Sequence, residues 1–183
     1  LCIIENMAII FQSFFDRNLQ NHPIVPYGIV EIICSNLPSP ITDKKLIFSI
    51  CLCSLMFDNP ACGFFDVLNV LKNNPNYGGI KLYKHILGGE VKHDTGKTIK
   101  ELFYFLIEEY AKNIEKATGN ELTYFSKVFE NCKFDIENGE STLLRLVYQE
   151  NLNSKEAIEA LTHHYGLPFI EADNLSIMAK MQG

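Results

Sequence analysis

Apolar residues recur at helical spacing along almost the whole chain, and no alternating polar and apolar run of useful length breaks the pattern. The clearest stretch is Ile99, Leu102, Phe103, Leu106 and Tyr110, spaced i, i+3, i+4, i+7 and i+11. Lys100, Glu101, Glu108, Glu109 and Lys112 take the other face. This predicts one long amphipathic helix over 98–117. Similar stripes predict helices near 3–20, 27–36, 43–57, 63–73, 79–87, 121–131, 142–150, 155–165 and 175–181. Pro23, Pro26, Pro38, Pro40, Pro60 and Pro75 fall between helices, where a missing N–H costs nothing. Thr42 reads as the N-cap before Asp43, and Asn153 or Ser154 as the cap of the 155–165 helix. The expected fold class is therefore all-α. The short connections favour antiparallel helix pairs stacked in sequence.

The linkers carry a repeat. Gly88-Gly-Glu-Val91 is followed, after four residues, by Gly96-Lys-Thr98. Asn131-Cys-Lys-Phe134 leads in the same way to Gly139-Glu-Ser141, and Gly166-Leu-Pro-Phe169 to Asn174-Leu-Ser176. Each position has a physical reason: Gly or Asn tolerates the left-handed conformation that ends a helix, the apolar residue anchors the loop, and the hydroxyl caps the next helix. The copies start at 88, 131 and 166, far enough apart for two helices and a loop.

Over about residues 79–181 this pattern resembles the ankyrin repeat, in which a helix-ending Gly leads through a hairpin to Gly-x-Thr-Pro-Leu; Gly96-Lys-Thr-Ile99 and Gly139-Glu-Ser-Thr-Leu143 are the matching segments. The resemblance implies a solenoid of stacked helix pairs with a continuous concave face that binds proteins. Armadillo- or tetratricopeptide-type pairs, or an irregular helical domain, would use the same helices. The domain organisation expected is a single helical unit over 1–183, with an irregular N-terminal part (1–78) and ankyrin-like repeats after it (79–183). Because the chain opens at Leu1 and Met7 lies inside an apolar run, it reads as a piece of a longer protein.

Charge and cysteine usage narrow the functional classes. Sixteen Lys and Arg against twenty-two Asp and Glu give a net charge of −6, which argues against wholesale nucleic-acid or anionic-membrane binding. The longest apolar stretch, Leu46 to Phe57, is too short to span a bilayer and predicts a buried helix. The six cysteines sit in apolar helical contexts, which favours reduced, buried thiols. Cys51 and Cys53, two apart on a helix, cannot face one metal, so no metal or cofactor is expected.

Candidate chemistry is sparse. Gly89 to Thr98 imitates a phosphate loop, but Val91 stands where that loop needs its first Gly and no strand precedes it. A capped helix-to-helix turn is the better account. His163 and His164 are adjacent and so cannot share a helix face. Cys62, near a helix start, is the best candidate for an activated thiolate, and His85 or His93 would have to serve as its base. Asn174-Leu-Ser176 is also a glycosylation sequon. The expected function is thus a non-catalytic protein-interaction module of a larger cytoplasmic protein, with Tyr77, Tyr124 and Tyr148 as aromatic anchors for an unidentified protein partner. A bacterial effector acting in a host cytosol is one setting that fits. The alternative is helical support for an enzyme, or a catalytic fragment of one, using a Cys or His.

Overall fold

The computed structural model describes residues 1–15, 22–89, 96–118, 123–150, 153–166, 170–172 and 175–177. The fold is all-α. Its helices are α1 (Cys2–Ser13), α2 (Ile24–Tyr27), α3 (Ile29–Ser35), α4 (Lys44–Ser54), α5 (Pro60–Asn73), α6 (Gly79–Leu87), α7 (Ile99–Thr118), α8 (Thr123–Glu137), α9 (Thr142–Tyr148) and α10 (Ser154–Tyr165). A hairpin of two three-residue strands follows, β1 (Ile170–Ala172) antiparallel to β2 (Leu175–Ile177), with Glu171 opposite Ser176.

Helix α4 is apolar on every side and is accordingly surrounded: α1, α3, α5, α6 and α9 all pack on it. Ile47, Phe48, Ile50, Cys51 and Cys53 are buried there. Ser49 and Ser54 are buried too, and each satisfies its hydroxyl on the carbonyl four residues back, Lys45 O at 2.8 Å and Ile50 O at 2.7 Å. From α6 the chain continues outward, with α7 on α6, α8 on α7, and α10 on both α8 and α9. One core runs without a break from Ile10 through Phe48 and Ile86 to Val147.

Several helix ends differ from the sequence-based expectation. Asp43, not Thr42, is the N-cap of α4 and accepts from Lys45 N at 2.9 Å, because it is the residue immediately before the first helical turn. Helix α5 begins earlier than expected, at Pro60, with Asn59 capping it and Pro in the first turn. Pro26 lies inside the short α2 rather than between helices.

The repeat template corresponds to more than one backbone. Asn131 does not end a helix: it is inside α8, which continues to Glu137 because Cys132, Lys133, Phe134, Asp135 and Ile136 include no helix breaker. Phe134 consequently points outward, 57% exposed, instead of anchoring a loop. Ser176 does not open a helix over 175–181 but lies in β2, and Asn174 is outside the described residues. Gly88, expected to be left-handed, has φ −66°, and the turn is made by its neighbour Gly89 at φ +83°. Gly96, Gly139 and Gly166 do have positive φ, at 75°, 64° and 87°. What recurs in full is Gly-x-hydroxyl. Thr98 caps α7 in a reciprocal box with Glu101, its Oγ1 accepting from Glu101 N at 3.2 Å while Glu101 Oε2 accepts from Thr98 N at 2.8 Å. Ser141 caps α9, accepting from Leu144 N at 3.3 Å.

Candidate functional site

Among the described residues, polar junctions at Asp135, Tyr148 and Asn6 and several exposed rings are where side chains do more than fill the core. The first junction is built on Asp135, in the last turn of α8. A carboxylate there opposes the helix dipole, so it needs other donors. It finds them across the turn: Oδ2 accepts from Thr142 N at 3.1 Å and from the Tyr165 hydroxyl at 3.3 Å, and Oδ1 lies 3.5 Å from Thr142 Oγ1. His164 Nε2 stands 3.2 Å from Oδ1, in ion-pair range but without hydrogen-bond geometry. Tyr83 from α6 closes the cluster by donating to Glu140 O at 2.8 Å. Burial, with the Asp135 charge adding to it, pushes the Tyr165 hydroxyl well above the usual tyrosine range. The carbonyls of the last turn of α10 are held from α8, His164 O by Asn131 Nδ2 and His163 O by Lys127 Nζ at 3.4 Å.

This cluster pairs a carboxylate with an imidazole. The Thr142 and Tyr165 hydroxyls both lie against the Asp135 carboxylate. Its work is to lock α8, α9 and α10 together. His163 faces solvent while the less exposed His164 turns toward Asp135.

The second junction is at Tyr148. Its hydroxyl accepts from Gly79 N at 3.1 Å, lies 3.4 Å from Ser49 Oγ, and has Lys45 Nζ 5.6 Å from its ring centroid. Tyr148, half-buried, ties α9 to α4 and α6, and burial raises its hydroxyl pKa. Tyr77, in the loop before α6, packs edge-on to His85 with Lys81 Nζ 4.5 Å from its ring centroid. Tyr124 belongs to α8, but its side chain is outside the described residues, as is His93. Cys62 is exposed in the first turn of α5, its N–H bonded to Asn59.

A third polar group was not anticipated. Asn6, buried in α1, uses Oδ1 to accept from Val30 N at 2.8 Å and Glu31 N at 3.3 Å, and its Nδ2 donates to Glu31 Oε2 at 3.3 Å. It caps α3 from another helix, since Gly28 has no side chain to do so.

Large rings are exposed singly: Phe105 (49% exposed) and Tyr110 (62%) on different faces of α7, Phe134 on α8 and Phe65 on α5, and the α7–α8 seam is crossed by the Lys133–Glu108 ion pair at 3.5 Å. Lys97 Nζ lies 4.8 Å from the Phe105 ring centroid. Among the described residues no group of three or more His, Cys, Asp and Glu gathers to hold a metal ion, and no helix is long and apolar enough to cross a membrane. No family model, curated protein or solved structure matches the chain.

Proposed function

We propose that the chain is a non-catalytic protein-interaction module of a larger cytoplasmic protein, with ankyrin-like helix pairs toward its C-terminal end. The observation that carries this is the exposure of the large rings Phe105, Tyr110 and Phe134 on α7 and α8. Large rings left in water are costly to keep and are the side chains that dominate protein interfaces. The repeat reading is supported by the shared Gly-x-hydroxyl openings of α7 and α9, and by the order of α9, α10 and hairpin, which is that of one ankyrin unit. Phe105 and Phe134 join Tyr77, Tyr124 and Tyr148 as the candidate anchors.

The test is to capture a partner with the isolated chain and then compare Phe105→Ser and Phe134→Ser by titration. Each should weaken binding by about 1 kcal/mol or more, with the melting temperature nearly unchanged. Retained affinity in the double variant would remove the surface from consideration. An activity lost on Cys62→Ala with fold intact would install the enzyme alternative.

A further inference from the structure

The turn between α8 and α9 contains the only Asn-Gly step in the sequence, Asn138–Gly139. Such a step is chemically reactive. The Gly139 backbone nitrogen, once it gives its proton to a solvent base, can attack Asn138 Cγ; a C–N bond forms, the Cγ–Nδ2 bond breaks and ammonia leaves. Water then opens the cyclic imide at either carbonyl, giving aspartate or isoaspartate. Gly favours ring closure because no Cβ blocks the approach.

In the fold both reacting groups are occupied. Asn138 Nδ2 donates to Phe134 O at 2.8 Å, which holds the amide back along α8. Gly139 N donates to Ile136 O at 3.1 Å and Glu140 N to Asp135 O at 2.8 Å, the paired bonds of a Schellman ending. Asn138 is nevertheless exposed, so water and base reach it as soon as those bonds open.

We propose that Asn138–Gly139 is a spontaneous deamidation site kept shut by the helix ending in which it sits, so that modification accumulates with the time the α8–α9 turn spends open. The isoaspartate product cannot restore the turn, and the aspartate product weakens it. A carboxylate at 138 joins Glu137 and Glu140 at the negative end of the α8 dipole, and isoaspartate lengthens the backbone so that the Gly139 and Glu140 bonds no longer align. The Asp135–Thr142 contact across the turn then loses its geometry.

The experiment incubates the full chain in mildly alkaline buffer, with and without denaturing urea, and follows the peptide containing residue 138 by mass spectrometry and isoaspartate assay. Modification should accumulate at least about tenfold faster in urea. Ser141→Ala, which loosens the turn without touching a reacting atom, should raise the rate in buffer about fivefold. Gly139→Ala in urea should slow it sharply. Equal rates in buffer and urea, no modification at 138 in the unfolded chain, or a Ser141→Ala rate matching the parent protein would each overturn the proposal.

Discussion

At the scale of single residues, conformation and space separate two glycines that a sequence cannot tell apart. Gly139 has positive φ and open space where a Cβ would point, so Gly139→Ala should cost about 1–2 kcal/mol from backbone strain alone. Gly79 has ordinary backbone, but a Cβ there would run into Ser49 Oγ and the Tyr148 hydroxyl, so Gly79→Ala should cost about 1–3 kcal/mol from overpacking. Urea titration of both variants checks the pair; Gly79→Ala as stable as the parent would mean that α6 can shift away from α4. Asn6→Ala leaves the Val30 and Glu31 N–H groups without their acceptor, and a loss of about 1–3 kcal/mol should follow. Asn6 was legible in principle, since a polar residue on the same stripe as Ile3 and Ile10 needs a reason to be there. What it caps, twenty-odd residues away, was not.

At the scale of elements, the Tyr148 hydroxyl is the bond that fastens α9 to the start of α6. Tyr148→Phe should lower stability by about 1–3 kcal/mol, because the buried Gly79 N–H loses its acceptor, while Tyr77→Phe, whose hydroxyl is 3.5 Å from His85 Nδ1, should stay within about 0.5 kcal/mol. Differential scanning calorimetry of the two variants separates a structural tyrosine from a peripheral one. Periodicity located α3 to α7, α9 and α10 to within a few residues at each end, because an apolar stripe is a local property of the chain. The length of α8 was missed for a physical reason: Asn131 looks like a helix stop in a template, yet with no Gly or Pro beside it and a carbonyl of α10 within reach of its amide, it remains helical. The β hairpin was missed because three-residue strands are too short for alternation to show. Asp135 could have been suspected as an acid in a last helical turn, but its partners Thr142, His164 and Tyr165 come together only in the fold.

At the scale of the whole molecule, the thiols report on the core that α4 organises. Burial pushes Cys34 to about 11 and Cys51 to about 12 from an ordinary value of 9.0, and raises Cys53 further still. Burial, with the Asp135 charge adding to it, raises Cys132 to about 11. The folded state therefore holds these protons where the unfolded chain releases them, so the unfolded state binds fewer protons between pH 9 and 12. Stability from this source is complete below pH 9.0 and is lost as pH rises through that window, by about 1.4 kcal/mol per pH unit for each thiol whose unfolded form has ionised. The urea midpoint should accordingly be flat from pH 7 to 8.5 in this respect and fall steeply above about 9.5, with Cys51→Ala softening the fall. At neutral pH the same burial makes the thiols kinetically distinct: exposed Cys62 should react first with a thiol reagent, and Cys53 only as fast as the core opens. If Cys51 or Cys53 labelled as readily as Cys62 in the folded protein, α4 would not be the closed centre on which α1, α3, α5, α6 and α9 assemble.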